Sequence, residues 1–452
     1  MRKERVLPGL AIAYVVLVIT RGIAFRGMAP IPGVFYYIFA VISGISALLP
    51  YIADRLLAER VEQAYRTLIF PCALVAQQFL YSHGPHGSWG TMAYTQAGNL
   101  PLLQLLSVTG IWGVTFLIGW FAAVVNQALD QPRNLRPLAA FAVALLTVLL
   151  GGGARLALSP SSSPSVRVAS LSPAEQPQQP GFNHLEAIVA GRATSAQVSA
   201  FRNASAAIAN DLLSRSTLEA SAGAKIIFWS ESAVYVLADD EPALLARCRE
   251  LARTDHVYLG VTLGTWTPGA LKPLQNKLVL IEPDGSVAWQ YLKAHPTPGP
   301  EAAAALRSDG KLTWIDSPYG RIVGAICYDM DFPSLMAQAG ADRADIVISP
   351  AGDWRAIDPR HTEMASFRAI EQGFNLARQT NQGLSAAYDY EGHQLAQMDQ
   401  FQAHELTMVA QLPIRGVRTL YSLLGNWLAW LCLAGLIALV WLGIRSPIKS
   451  RQ

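Results

Sequence analysis

The stretch that decides the fold of this chain is Ile322-Val323-Gly324-Ala325-Ile326-Cys327-Tyr328-Asp329. A short apolar run such as 321–326 is typical of a buried strand. Cys327 follows that run directly. In layered α/β sheets, functional residues collect at the carboxyl ends of strands. The sequence therefore predicts a thiol at a position where such sites form.

Two further reactive residues stand directly after apolar strands. Glu231 follows the run 226–230, and Lys293 follows the run 287–292. If the three residues meet, Cys327 is the nucleophile, because a thiolate attacks acyl carbons well. Glu231 is then the proton acceptor. Lys293 stabilises the oxyanion that develops during the attack.

Spacing alone leaves a plainer interpretation open for the same three residues. A cysteine at a strand end is usually a small core residue. A glutamate and a lysine at strand ends usually belong to solvated surfaces. His295 and His361 are interpreted as packing or orienting residues rather than general bases.

The residues around these positions alternate between short apolar runs and helical stretches. The turn signal Pro283-Asp284-Gly285 predicts a hairpin. The predicted strands are 166–171, 225–229, 257–263, 277–281, 287–291, 321–326, 345–349, 384–388 and 408–412, and the predicted helices are 201–218, 241–253 and 361–380. This mixture predicts an α/β or α+β layered domain of about 250 residues.

Outside that domain, charged residues are nearly absent over long windows. Between Thr67 and Pro132 there is no Lys or Arg, and 27 uncharged residues separate Arg26 from Asp54. A membrane-spanning helix needs roughly 20 apolar residues. Six spans are predicted, at 6–25, 34–53, 67–82, 100–126, 137–157 and 424–444. The first has an alternative interpretation as a signal peptide.

Basic residues flank these spans in four groups. Six spans place all four groups on one side of the membrane, which basic residues mark as cytoplasmic. The groups are Arg2, Lys3 and Arg5; Arg55, Arg60 and Arg66; Arg133 and Arg136; and Arg445, Lys449 and Arg451. The block from about 160 to 418 then lies on the opposite side. Gln77, Gln78, Gln104 and Asn126 are polar residues in or near spans. They are expected either to join helices or to line a lipid-access groove.

Composition excludes several classes of protein. Of 452 residues, 52% are hydrophobic and only 15% charged, which argues against a disordered, fibrous or purely soluble chain. A net charge of +3 gives no reason to expect nucleic acid as a partner, and four cysteines exclude a disulfide scaffold. The predicted domains are 1–158 (N-terminal membrane domain), 159–165 (linker), 166–415 (catalytic domain) and 416–452 (last span and tail).

The motifs around the three reactive residues resemble the carbon–nitrogen hydrolase (nitrilase) superfamily, whose triad is Glu, Lys and Cys. The matching stretches are 228–232 (FWSES), 291–295 (YLKAH) and 324–329 (GAICYD). More specifically, the chain resembles the apolipoprotein N-acyltransferase family. Matches outside the triad carry that resemblance: 88–90 (SWG), 110–116 (GIWGVTF), 367–373 (FRAIEQG), 375–383 (NLARQTNQG), 419–421 (TLY) and 425–427 (GNW). The fold implied is a multi-span α-helical membrane domain plus an extracytoplasmic nitrilase-like α/β (αββα) sandwich domain.

The resemblance also implies an activity. Cys327 takes an acyl chain from a phospholipid as a thioester, and the amino group of a lipoprotein's diacylglyceryl-cysteine then receives it. It places a monomeric chain in the bacterial inner membrane, with the catalytic domain periplasmic and both termini cytoplasmic. No cofactor and no metal are expected. Glu301 is expected to orient Lys293 and to share the acid–base work. Tyr328 follows the nucleophile, so its backbone N–H is a candidate oxyanion donor.

Some positions depart from the family pattern. Asp329 stands where the family commonly has Glu, one methylene longer. The segment 298–306 is poor in bulky apolar residues, although the family forms a mobile arm there, and 353–356 (DWRA) replaces a Trp-Phe-Gly stretch. These departures concern substrate entry and acceptor recognition more than thioester chemistry. Two alternatives therefore stay open: a membrane-tethered amidase that uses water as acceptor, and a non-catalytic membrane scaffold.

Overall fold

A computed structural model describes residues 6–28, 31, 33–63, 65–159, 164–174, 182–403 and 405–445. The chain divides into two compact units. The first comprises residues 1–159 and 419–452, and the second comprises residues 160–418. Most of the predicted linker 159–165 lies outside the described residues, and its Ser165 opens a strand.

The regular elements follow in chain order. The helices are α1 Val6–Ala24, α2 Val34–Leu57, α3 Arg66–Tyr81, α4 Leu100–Leu103, α5 Leu106–Thr109, α6 Ile111–Asp130, α7 Arg136–Leu158, α8 Leu185–Val189, α9 Ser195–Ser221, α10 Glu241–Asp255, α11 Pro300–Ala304, α12 Pro333–Ala341, α13 Arg360–Gln372, α14 Leu420–Leu424 and α15 Trp427–Arg445. The strands are β1 Ser165–Leu171, β2 Ile226–Trp229, β3 Val234–Leu237, β4 Tyr258–Trp266, β5 Leu274–Ile281, β6 Val287–Leu292, β7 Trp314–Ser317, β8 Gly320–Gly324, β9 Ile346–Gly352, β10 Asn375–Asn381, β11 Leu384–Tyr388, β12 Gln394–Asp399 and β13 Thr407–Pro413.

The first unit is helical, and five of its described helices (α1, α2, α6, α7 and α15) are long and apolar enough to cross a membrane. The third predicted span corresponds to α3, which has 16 residues and a length of about 24 Å. The predicted start of the fourth span is wrong, because α4, α5 and a break at Gly110 precede α6. Gly110 has φ +63°, and a Cβ there would lie 2.4 Å from the Tyr421 ring. The positive φ ends one helix and starts the next.

Helix α3 packs among α2, α6 and α15. Its start meets the later part of α6 through Trp120 Nε1, which donates to Thr67 Oγ1 at 3.3 Å. Its end meets the earlier part of α6 through Thr115 Oγ1, which donates to Gln78 Oε1 at 3.4 Å. The two helices are therefore antiparallel neighbours. Gln77 donates to Ser46 of α2 at 2.8 Å, so both glutamines bond to neighbouring helices.

Contacts within the first unit bring several basic segments to one end. Gln63, in the loop after α2, donates to Gln131, in the loop after α6. At the end of α15, a Cβ on Gly443 would lie 3.0 Å from Leu57 at the end of α2. The described loop residues 58–63 and 131–135 and the carboxyl end of α15 thus share one end of the unit.

The second unit contains two six-strand ladders. The first runs β13-β1-β2-β4-β5-β6, with β3 also pairing with β4, and the second runs β12-β11-β10-β9-β8-β7. In each sheet the central strands are parallel (β1, β2 and β4; β8, β9 and β10), and antiparallel strands flank them. Parallel central strands place several carboxyl ends at one edge, where sites form.

Side-chain alternation divides the core into layers. Ile226 and Phe228 of β2 pack with Ile346 and Ile348 of β9 between the two sheets. Ile227 and Trp229 of β2 face the other way and pack with apolar residues of α9 and α10. Helices α12 and α13 cover the second sheet. The order of layers is α, β, β, α, which confirms the predicted sandwich.

The predicted helix 361–380 is wrong in its second half. Helix α13 ends at Gln372, and Gly373 follows with φ +81°, the left-handed conformation that ends helices. Residues Asn375–Asn381 then form β10, which pairs in parallel with β9. The apolar periodicity of the helix continues into a buried strand, so periodicity alone did not mark the boundary.

Candidate active site

Cys327 occupies a sharp turn after β8. It opens a 3₁₀ turn, Cys327–Asp331, and has φ +49°, which is rare for a residue with a side chain. Cys327 as a whole is 3% exposed, and its thiol donates to the carbonyl of Gly352 at 3.6 Å. A strained backbone at a strand-to-helix turn is the arrangement that presents nucleophiles in hydrolase folds.

Glu231 and Lys293 meet in a direct ion pair. Lys293 Nζ lies 2.6 Å from Glu231 Oε1, and the lysine is only 1% exposed. Lys293 directly follows β6, and Glu231 is the second residue after β2. Asn276 of β5 donates from Nδ2 to Glu231 Oε1 at 2.6 Å. The geometry therefore brings these two sequence-predicted residues together and adds an amide that the sequence analysis did not identify.

Glu301 completes a second ion pair on the same lysine. Lys293 Nζ lies 3.0 Å from Glu301 Oε1 and 2.9 Å from Oε2. The carboxylate also accepts from Asn276 Nδ2 at 2.8 Å and from the Thr297 backbone N–H at 2.7 Å. Glu301 is the second residue of the short helix α11. One ammonium is thus shared by two carboxylates.

Burial and charge shift the ionisation of these groups in opposite directions. Burial alone would lower the pKa of Lys293, but Glu231 and Glu301 outweigh it and hold that pKa well above its usual range. Burial also opposes ionisation of Glu301, yet Lys293 keeps the pKa of that carboxyl below its usual range. Burial, reinforced by Glu231, raises the pKa of the Cys327 thiol well above its usual value. The resting site therefore holds a neutral thiol beside a permanently charged lysine.

Asp329 ties the lysine loop to the cysteine turn. Its fully buried carboxylate accepts from Tyr291 Oη at 2.8 Å and from the His295 backbone N–H at 2.8 Å. It also accepts from the Ile326 backbone N–H at 3.3 Å. These donors flank Lys293 on one side and Cys327 on the other. Asp329 therefore fixes the two loops relative to each other.

Tyr328, next to the nucleophile, and His295, in the loop after β6, both pack against Phe332. The Tyr328 ring packs edge-on against Phe332, with ring centroids 5.3 Å apart. The His295 ring stacks on Phe332 at 3.5 Å and lies 3.2 Å from Asp329 Oδ1. These contacts give His295 a packing and orienting place in the described structure.

A cavity of about 390 Å³ opens over the ion pairs. Its lining contains both polar and apolar residues. The polar ones include Glu231, Asn276, Lys293, Glu301, Asp353, Asn381 and Gln382, and the others include Tyr235, Trp266, Leu274, Pro300 and Ala304. A cavity of this kind, with convergent charged groups and shifted pKa values, is a candidate substrate site.

Sequence reasoning missed a second set of polar residues behind the cysteine. Asp331, Asp353, His361 and Arg378 form a buried ionic network there. His361 was expected to orient or pack, but its partners were not foreseen. Asn276 lies between Gln275 and Lys277 in β5, and Arg378 is followed by Gln379 in β10, so local sequence does not single out either residue or reveal its partner.

Two sequence profiles match the chain. The family described as carbon–nitrogen hydrolase matches residues 167–421. The family described as apolipoprotein N-acyltransferase N-terminal domain matches residues 7–124. The first match covers more than half of the chain and includes the whole candidate site.

Curated relatives align over most of the chain. A protein named apolipoprotein N-acyltransferase from Geobacter metallireducens is 25% identical over 441 residues, covering 90% of this chain and 80% of the relative. Another of the same name, from Rhodopseudomonas palustris, is 28% identical over 423 residues, covering 84% and 74%. Among solved structures, an amidase from Nesterenkonia sp. has a TM-score of 0.44 at 19% identity, covering 57% of this chain and 94% of the amidase.

Proposed function

The chain belongs to the carbon–nitrogen hydrolase family, and we propose that it is a membrane-bound N-acyltransferase whose catalytic residues are Glu231, Lys293 and Cys327. The proposed donor is a phospholipid, and the proposed acceptor is the amino group of a diacylglyceryl-cysteine lipoprotein. The name of the aligned relatives, apolipoprotein N-acyltransferase, supports the lipoprotein acceptor. The observation that carries the proposal is the Cys327 turn beside a lysine held between two carboxylates.

In the first half-reaction, Glu231 accepts the thiol proton of Cys327. The sulfur attacks the ester carbonyl carbon of the phospholipid, and Lys293 stabilises the resulting oxyanion. The carbon–oxygen bond to the glycerol then breaks. Glu231 returns the proton to the leaving oxygen, which gives a lysophospholipid and a Cys327 thioester.

In the second half-reaction, the acceptor amine attacks the thioester carbonyl. Glu231 takes a proton from the attacking nitrogen, and Lys293 again faces the oxyanion. The carbon–sulfur bond breaks, and the thiolate of Cys327 recovers a proton. The products are an N-acylated acceptor and the resting enzyme, so no water and no cofactor enter the balance.

Glu301 keeps the Lys293 ammonium paired with a negative charge throughout this cycle. When Glu231 carries the transferred proton, it no longer neutralises Lys293. Glu301 stays bound to the ammonium at 2.9 Å and keeps it paired. The Tyr328 backbone N–H, one residue after the nucleophile, is proposed as a second oxyanion donor.

The proposed location is the bacterial inner membrane, with residues 160–418 on the periplasmic face. The basic loop segments 58–63 and 131–135 share one end of the helical unit with Arg445 at the end of α15. Basic residues favour the cytoplasmic side. Helix α3 is short, but it is antiparallel to α6 and packs among other helices. It therefore counts as a span, which brings the total to six. Since one chain supplies the whole proposed site, we propose a monomer.

Intact-protein mass spectrometry after incubation with phospholipid vesicles tests the first half-reaction. The expected result is a mass gain of one acyl chain that hydroxylamine removes, together with lysophospholipid in the lipid extract. Cys327→Ala is expected to show neither.

A mass gain that persists in Cys327→Ala would contradict the assigned nucleophile. Absence of an adduct in the wild-type protein across several phospholipids would contradict the donor and favour the amidase alternative.

A further inference from the structure

A buried charge cluster, formed by Asp331, Asp353, His361 and Arg378, lies behind Cys327. His361 Nδ1 lies 2.6 Å from Asp353 Oδ1, and its Nε2 lies 3.1 Å from Asp331 Oδ2. Arg378 Nη2 donates to both oxygens of Asp353, at 3.1 and 3.2 Å. The four side chains are at most 3% exposed.

Such a cluster is not explained by stability alone. Removing charges from water costs several kcal/mol per ion, so buried pairs often contribute little net stability. Here, burial alone would lower the pKa of His361, but Asp353 and Asp331 raise it to about 9. The cluster therefore holds a charged His361 at neutral pH, with Asp353 paired to both His361 and Arg378.

The cluster connects directly to the backbone that holds the proposed base and nucleophile. The Ala351 carbonyl accepts from the Glu231 backbone N–H at 3.3 Å, and the Gly352 carbonyl accepts from the Cys327 thiol at 3.6 Å. The next residue is Asp353, whose backbone N–H donates to Asn381 O at 2.8 Å. Asp353 is thus the side chain that anchors the segment 351–353.

We propose that the buried charge cluster is a positioning device: through Asp353 it fixes the segment 351–353, and thereby sets Glu231 and Cys327 relative to each other. Asp353 also lines the cavity, but both of its carboxylate oxygens are bound by His361 and Arg378, so Asp353, His361 and Arg378 are positioning residues that act through that segment. This inference rests on the proposed function for the roles of Glu231 and Cys327.

A metal site is the competing interpretation of the same residues. Ligand atoms of Cys327, Asp353 and His361 lie within 4.8 Å of one another. However, both ring nitrogens of His361 already face carboxylates, and Arg378 binds both oxygens of Asp353. A metal ion would have to break these four contacts, so the existing ionic network accounts for the cluster.

The charges of the cluster also act on the thiol, with opposite signs. Asp353 contributes to raising the pKa of Cys327, and Arg378 contributes to lowering it. Replacing Asp353 by Asn keeps the side-chain shape but removes one negative charge near the sulfur. Acyl-enzyme formation, which depends on positioning, should then become slower, whereas ionisation of the thiol should increase. A general loss of fold would not produce these opposite changes.

The test uses full-length Asp353→Asn in phospholipid nanodiscs, with two measurements. Alkylation by iodoacetamide is followed at the Cys327 peptide by mass spectrometry. Acyl-enzyme formation is followed by intact mass. Alkylation at pH 8 is expected to be several-fold faster than in the wild-type protein. Acyl-enzyme formation is expected to be at least about 10-fold slower at saturating phospholipid, with an unchanged half-saturating concentration.

Glu241→Gln is the matched control, since Glu241 forms a buried pair with Lys277 at 2.7 Å. This variant removes a buried charge from the same unit and is expected to leave both rates unchanged. If Asp353→Asn does not fold, His361→Gln takes its place with the same expected loss of acyl-enzyme formation.

Unchanged acyl-enzyme formation in these variants would overturn the proposal, as would a parallel fall in both rates. If the wild-type protein forms no acyl-enzyme, the proposed function fails. In that case the positioning role, which rests on the proposed function, fails with it, whereas a wild-type protein that forms the acyl-enzyme together with an unimpaired Asp353→Asn overturns the positioning role alone.

Discussion

At the scale of single residues, Lys293 is the centre of the site because two carboxylates share its charge. Glu231 lies 2.6 Å away and Glu301 2.9 Å away. One carboxylate can therefore take up a proton while the other preserves the ammonium. In the proposed mechanism, these two roles require a pair of carboxylates, rather than one glutamate, around a lysine that is 1% exposed.

Replacing Glu301 by Gln should slow acyl-enzyme formation by about 10- to 100-fold. The substitution keeps the shape of the side chain but removes one of the two charges that raise the pKa of Lys293. The lysine then loses its partner whenever Glu231 is protonated. Rapid-quench mass spectrometry of the thioester measures the rate.

The control for this prediction is Glu363→Gln, a partly buried glutamate on α13 that lines a different cavity. It should react at the wild-type rate. A Glu301→Gln protein with the wild-type rate would show that Glu231 alone supports the lysine.

His361 predicts how stability depends on pH. Its folded-state pKa of about 9 lies above the unfolded value of 6.5. The stabilisation is therefore fully present below pH 6.5 and is lost as pH rises through about 9. The size of the effect is about 3 kcal/mol in the free energy of unfolding. Denaturant unfolding of the wild-type protein between pH 6.5 and 9.5 should show this loss.

His361→Gln cannot titrate at this position, so its unfolding free energy should vary much less over the same range. Equal slopes for the two proteins would mean that His361 is not the group responsible.

At the scale of elements, most strands could be predicted from apolar runs, but some boundaries could not. Glu231, Lys293 and Cys327 follow the apolar runs that form β2, β6 and β8, so these three residues could be located from the sequence alone. The boundary between α13 and β10 was missed, because apolar residues continue past Gly373. A break in the middle of such a run depends on pairing with β9, which local sequence does not encode.

Contacts between distant residues set a similar limit for the site. Asn276 joins Glu231 to Glu301 through two hydrogen bonds, at 2.6 and 2.8 Å. These three residues lie on different elements, and Asn276 is one of three consecutive polar residues in β5, so local sequence does not single it out. The buried charge cluster was missed for the same reason, since Asp353 and Arg378 meet only after β9 and β10 pair.

Helix α11 places Glu301 in the candidate site, and Lys272 binds to backbone carbonyls of that helix. Lys272 Nζ donates to the carbonyls of Ala302 and Ala303 at 2.8 and 2.7 Å. Lys272→Met should loosen α11 and reduce acyl-enzyme formation by about threefold to tenfold, because Glu301 is then less well placed. The thioester assay measures this change.

Lys311→Met is the matched substitution, since Lys311 is 81% exposed and its ion pair with Asp309 is long, at 3.6 Å. It should leave the rate unchanged. Equal rates for both lysine variants would show that α11 holds its place without Lys272.

At the scale of the whole molecule, the proposed topology has six spans, and these fix the side of the membrane that each loop faces. In a protein freed of its native cysteines, His83→Cys should react with a membrane-impermeant maleimide in intact cells, once the outer membrane is made permeable. Pro132→Cys should react only after the inner membrane is opened. Both positions are exposed in the described structure. Gel-shift labelling reads the result, and reaction of both from the same side would contradict the six-span topology.

Helices that could span a membrane and a sandwich domain belong to one chain, and this combination matters for the chemistry. A small soluble amide would need no membrane unit, whereas a phospholipid donor is available only in a bilayer. The relatives that align over most of the chain share one name, apolipoprotein N-acyltransferase. The central claim is therefore that the acyl chain on Cys327 passes to an amine rather than to water.

A single-turnover transfer measures that claim most directly. Enzyme loaded with an isotopically heavy acyl chain is separated from donor lipid and mixed with a synthetic diacylglyceryl-cysteine peptide. The account predicts that the heavy chain leaves Cys327 and appears as an amide on the peptide amino terminus. Release of the heavy chain as free fatty acid at the same rate with or without peptide would contradict it.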